Sequence, residues 1–149
     1  MKHRIYTYSL LCTALLLASP CKAFAFTPSG YWQTEDKQTV IEFKPCAEAL
    51  CGYLAFTGVE AGAKDEKNPD PAQRNRTLCN LLLVTGLKKD GEHYSGGAFY
   101  DPETGASYNV KLSNKENGIA MRVYEGSPML GETLLLKSIG KNEFTACDS

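Results

Sequence analysis

The sequence predicts an all-β domain, an antiparallel up-and-down meander of eight strands closed into a barrel. Three observations lead there. Runs with strand chemistry recur at short intervals along the chain. Between them stand pairs such as Asp90-Gly91 and Asn117-Gly118, which tolerate the positive φ that tight hairpin turns require. No intervening segment has the length and period of a crossover helix, so consecutive strands must pair antiparallel.

The runs in order are Gly30–Thr34, Thr39–Lys44, Leu50–Thr57, Leu81–Lys88, His93–Tyr100, Ser107–Ser113, Gly118–Tyr124 and Glu132–Ser138. Alternation is plain in two of them. Tyr108, Val110 and Leu112 share one face opposite Asn109 and Lys111, and Ile119, Met121 and Val123 oppose Ala120, Arg122 and Tyr124. Gly96-Gly97 inside a run predicts a bulge or sharp bend, which a small barrel needs to close. Asp101 to Gly105 is a slightly longer hairpin turn. The segment from Gly58 to Thr77 breaks the rhythm: it is polar, charged and proline-bearing, and loops of that size inside compact domains tend to be functional or disordered. Closure removes the two edges an open meander would leave. An eight-stranded barrel has an interior that holds side chains or one small ligand.

The N-terminus reads as an export signal. Lys2, His3 and Arg4 precede an uncharged apolar run from Ile5 to Ala18, and Ala23-Phe24-Ala25 supplies a small-x-small cleavage pattern. The expected division is a cleavable signal over 1–25 and a single domain over 26–149, with cleavage after Ala23 as the second choice. The run falls short of the roughly 20 residues that span a bilayer. Pro20 before Cys21 argues against a lipid anchor. The whole chain has 16 Lys+Arg against 17 Asp+Glu, and losing Lys2, Arg4 and Lys22 leaves 13 against 17, a net charge of −4. Such a domain has no basic field for nucleic acid.

Cys12 and Cys21 belong to the signal, leaving Cys46, Cys51, Cys79 and Cys147. An even number in a small exported domain favours disulfides, and four cysteines permit three pairings. Cys46 with Cys51 is favoured, because the two bracket four residues between strand-like runs. Cys79 with Cys147 would then tie the tail to mid-chain. Zinc is the weaker reading, since the Cys46–Cys51 spacing exceeds the usual knuckle and no histidine lies nearby.

Gly30-Tyr31-Trp32 resembles the Gly-x-Trp signature of lipocalins, with Lys137 placed to pack over the tryptophan. The order of Gly30-Tyr31-Trp32-Gln33-Thr34, Cys46…Leu50-Cys51-Gly52, Asn68-Pro69-Asp70-Pro71 with Arg74-Asn75-Arg76-Thr77-Leu78-Cys79, Tyr100-Asp101-Pro102…Gly105…Tyr108 and Arg122…Tyr124…Gly126…Leu130-Gly131 is similar to a narrower group. That group is a family of small exported bacterial proteins known only as a domain of unknown function with a lipocalin-like (calycin) barrel. The resemblance spans essentially the whole chain after the signal. It implies an extracytoplasmic barrel with a binding cavity and brings no established reaction. Tyr94, Val123, Glu132 and Leu136 depart from the family's usual Trp, Gly, basic and aromatic residues.

Candidate chemistry falls in three places. The long loop holds Asp65, Glu66, Asn68, Asp70, Arg74 and Arg76; its arginines and acids either gate the mouth and orient a polar ligand head, or Asp70 pairs with Arg74 or Arg76 to pin the loop. Asp65, Asn68 and Asp70 have a calcium-like spacing, but Pro69 and the missing Gly-to-Glu continuation fail the EF-hand pattern, and no metal site is expected. Among the strands, Trp32, Tyr53, Phe56, Tyr100, Tyr108 and Tyr124, with Phe99, are candidates to line a cavity. Arg122 either enters the barrel, where it would need Glu42 or a bound anion, or sits at an exposed strand position. No catalytic residue is assigned: His93 is the only histidine after the signal and stands beside a turn. The expectation is therefore a periplasmic or secreted binding protein for a small apolar or amphipathic molecule. It has no cofactor, no nucleic-acid partner and no membrane span. The alternative is an envelope interaction module that docks a protein through the 58–77 loop.

Overall fold

The computed structural model describes residues 26–60 and 62–147, so the expected signal over 1–25 lies outside them. Eight strands run in order: β1 (Gly30–Thr34), β2 (Thr39–Cys46), β3 (Ala49–Thr57), β4 (Leu82–Asp90), β5 (His93–Asp101), β6 (Ala106–Lys115), β7 (Gly118–Tyr124) and β8 (Glu132–Ile139). Each pairs antiparallel with its sequence neighbours, and β1 also pairs with β8 from Tyr31 opposite Ile139 to Thr34 opposite Leu136. The meander is closed into a barrel, and no sheet edge is left open. No helix among the described residues is long and apolar enough to cross a membrane.

Side-chain alternation divides the barrel into an inner and an outer face. On β6 and β7, Val110, Leu112, Ile119 and Met121 point inward and are at most 1% exposed. On β1 to β3, Tyr31, Glu42 and Tyr53 stand in register with the opposite parity and form an outer stripe. The expected bend at Gly96-Gly97 is present: the β5–β6 register shifts between Tyr94 and Gly97, and Gly96 adopts φ +74°. A second bulge lies on the β2–β3 pair between Val40 and Ile41, where Ala55 has no partner.

Up-and-down strands alternate their connections between two ends. The β2–β3, β4–β5 and β6–β7 hairpins form a base, and the β1–β2, β3–β4, β5–β6 and β7–β8 connections form a mouth. The base is filled. Phe43, Leu50, Leu87, Leu112, Ile119 and Leu136 pack in one buried cluster, with Trp32, Tyr94 and Phe26 against it. Gly52 allows this density, because a Cβ there would lie 2.9 Å from the Phe43 ring and 3.0 Å from Ile41 Cγ2. The Cys46–Cys51 disulfide clips the β2–β3 turn, as expected. After β8 the tail runs back over the outer stripe, with Phe144 against Tyr31 at 5.2 Å and Cys147 N–H donated to the Ala55 carbonyl at 2.8 Å. The second expected bridge is not formed, and Cys79 and Cys147 are free thiols.

Candidate functional site

The mouth half of the barrel is hollow, with a cavity of about 650 Å³. Its floor is Ile41, Leu54, Leu83 and Met121 from four different strands, each at most 4% exposed. Phe99 and Leu134, both half-buried, form the wider apolar wall above them. Thr34, Thr39 and Thr57 line the cavity where the strands end, with the Thr34 hydroxyl engaged by Asp36 and Thr39 in the β1–β2 turn. The rim carries Glu60, Lys64, Glu66 and Lys67 from the long loop, with Asp101 from the end of β5 and Glu103 from the β5–β6 turn. An apolar floor beneath a charged collar suits a molecule with one apolar end.

The described residues of the β3–β4 connection form the lid of this cavity, with Val59, Ala63, Lys64 and Leu78 lining it, and one buried carboxylate gathers its contacts. Asp65 is wholly inaccessible. Its Oδ1 accepts the Tyr100 hydroxyl at 2.6 Å, and its Oδ2 accepts Asn68 Nδ2 at 2.8 Å and Arg76 Nε at 2.9 Å. Arg76 also places its terminal nitrogen 2.7 Å from Oδ2, completing a two-pronged ion pair. Burial alone would raise the Asp65 carboxyl, but the donors from Tyr100, Asn68 and Arg76 outweigh it and hold the group below its ordinary value. Tyr100 moves the other way: burial, and then the adjacent carboxylate, raise its phenol.

Backbone pairing extends the anchor. Asp65 N–H donates to Arg76 O at 3.1 Å, Leu78 N–H donates to Ala63 O at 2.9 Å, and Lys64 bridges Thr77. Asp70 caps the 3₁₀ turn Pro71–Gln73 through Ala72 N–H at 3.0 Å, and Arg74 Nε donates to Asn68 O at 2.7 Å. The expected Asp70–arginine pair is therefore corrected. Asp70 is engaged by backbone, and Arg76 takes the better-buried acid five residues earlier.

The other residues singled out from the sequence are scattered. Trp32 sits at the base and donates Nε1–H to Pro28 O at 2.8 Å, away from the cavity lining. Tyr53 is on the outer stripe with Lys44 Nζ 4.4 Å above its ring. Lys44 also pairs with Glu42 at 2.7 Å, so Glu42 is not a partner for Arg122. Arg122 faces outward and binds the β7–β8 loop, donating to Pro128 O, Met129 O and Thr133 Oγ1. Phe56 lines a smaller neighbouring cavity, while Tyr108 and Tyr124 line a rim groove that shares Phe99 and Leu134 with the main one. Asn68, Arg76 and Tyr100 converge on Asp65. His93, opposite Asp90 in the β4–β5 hairpin, is at the base.

The sequence places Asp65 among the loop's gating acids without marking it as the buried anchor, and its aromatics are favoured over the aliphatic floor. The floor had a signal: Ile41, Leu54, Leu83 and Met121 all occur on strand runs. Asp65 had none, because a 20-residue polar loop offers several equivalent acids.

Residues 30–137 match the profile of a family described as "Uncharacterized protein conserved in bacteria (DUF2147)". Among solved structures, the fold is similar to protein HP1028 from the human pathogen Helicobacter pylori, described as belonging to the lipocalin family. The two superpose with a TM-score of 0.70 at 25% sequence identity, over 78% of this chain and 86% of that one. No curated protein matches the sequence.

Proposed function

We propose, from the premise that this chain belongs to the DUF2147 family of bacterial proteins and has a lipocalin-like barrel, that it binds a small apolar or amphipathic molecule in the mouth half of that barrel. The observation that carries the reading is the hollow itself. Towards the base Phe43, Leu50, Leu87 and Leu112 are buried in one packed cluster, whereas about 650 Å³ stands open above Ile41, Leu54, Leu83 and Met121. Ligand sites of drug-sized molecules commonly occupy about 300–1,000 Å³. The apolar end of the ligand rests on that floor against Phe99 and Leu134, and its polar end meets the hydroxyls of Thr39 and Thr57 and the charged rim. Asn68, Arg76 and Tyr100 act on the ligand indirectly, by holding Asp65 and hence the lid. Tyr108 and Tyr124 border its entry.

The reading includes place as well as chemistry. Residues 1–25 direct export, and 26–149 act as one domain in the periplasm or outside the cell, an oxidising setting that the Cys46–Cys51 bridge suits. Binding without turnover is the simpler assignment, since His93 is remote from the cavity. A protein-docking loop is less well supported, because Asp65, Asn68 and Arg76 are engaged within the loop itself.

Titration with an apolar fluorescent dye tests the proposal. One dye should bind per barrel, and Leu134→Trp, which puts an indole into the cavity, should weaken it at least about tenfold, equivalent to about 1.4 kcal/mol. Absence of dye binding, or equal affinity in the variant, would overturn the assignment.

A further inference from the structure

Cys79 and Cys147 are held side by side at the junction of lid and tail. Both are half-buried free thiols lining one small cavity, brought there by Asn80 N–H on Leu54 O and Cys147 N–H on the adjacent Ala55 O. Cys79 follows Leu78, the residue whose N–H closes the lid onto Ala63. Cys147 is delivered by the tail through Phe144 on Tyr31 and through its own N–H on Ala55 O. That carbonyl belongs to the bulge residue that has no cross-strand partner. Both thiols line a cavity of about 220 Å³ that shares Thr57, Val59 and Leu78 with the main one. Chain segments distant in sequence thus meet at the lid's root.

We propose that Cys79 and Cys147 form a redox-closed strap, a disulfide that ties the tail to the root of the lid and restrains the lid's opening. Burial and the neighbouring Cys79 thiol push the Cys147 thiol up to about 11, so it stays protonated near neutral pH. The Cys79 thiolate attacks one sulfur of an external disulfide, forming a mixed disulfide and releasing one thiolate. Cys147 then gives its proton to solvent and attacks Cys79 Sγ, expelling the second thiolate. Two cysteine thiols are oxidised, and the external disulfide is reduced to two thiols.

The test uses the purified protein exposed to oxidised glutathione, followed by alkylation, intact mass and peptide mapping. Hydrogen exchange of the lid amides in 62–78 is then compared with the Cys147→Ser variant, which keeps the Cys46–Cys51 bridge. The expected result is a Cys79–Cys147 crosslinked peptide and lid amides exchanging about tenfold more slowly in the bridged protein. Persistent alkylation of both thiols overturns the strap, and so does a bridge that leaves lid exchange unchanged. Cys79→Ser provides the same comparison should Cys147→Ser not fold.

Discussion

The Asp65 carboxylate is buried and yet charged, because Tyr100, Asn68 and Arg76 all direct donors at it. Its ordinary value of 3.8 applies to the unfolded chain, and the folded value is lower. The sign follows from proton binding: the unfolded state takes up the proton first as pH falls. The group's stabilisation is complete above the unfolded value and disappears as pH drops from there through the folded value. Asp65→Asn should flatten that acid limb in urea melts between about pH 2 and 5. At neutral pH the same variant turns an amide toward Arg76 and should speed lid amide exchange at least about tenfold, a loss of about 1.4 kcal/mol or more. Gly52→Ala probes a different contact. Its Cβ would crowd Phe43 and Ile41, and we expect a loss of about 1–3 kcal/mol by chemical denaturation. At this scale the sequence was least informative. Which loop acid is buried depends on Tyr100 arriving from a strand 35 residues away, a pairing that local pattern does not encode.

Among the elements, the strands were legible and the lid was not. All eight expected runs coincide with strands to within two residues, because period-two alternation and turn chemistry are local properties. The lid's order is non-local, resting on one β-bridge, one short 3₁₀ turn and the Asp65 cluster. Arg122 was ambiguous for a related reason: alternation gives two faces without saying which is inside, and only its contacts with Pro128 and Met129 resolve it. The β2–β3 turn shows an element held covalently. Cys46 and Cys51 close a short loop, so Cys46→Ser with Cys51→Ser should lower stability by about 2 kcal/mol on the chain-entropy account. A thermal or urea melt under non-reducing conditions reads this directly.

Seen whole, the molecule is a barrel filled at one end and hollow at the other. This asymmetry makes a stability prediction. Leu112→Ala at the packed base, where the side chain is 0% exposed, should cost about 2–5 kcal/mol. Leu134→Ala at the mouth, where the wall already borders empty space, should cost less than about 1 kcal/mol. Urea denaturation of the two variants would show whether packing ends where the cavity begins. Barrel closure was readable from strand count, but the boundary between core and cavity was not. It depends on Phe43 crossing above Gly52 and on the lid standing off the floor, both results of assembly. The central claim is that this hollow holds a ligand, and native mass spectrometry of the protein purified from its own compartment without detergent tests it most directly. The account predicts a discrete added mass that is lost on denaturation and absent from Leu134→Trp. A bare protein mass, or an added mass retained unchanged by that variant, would contradict it.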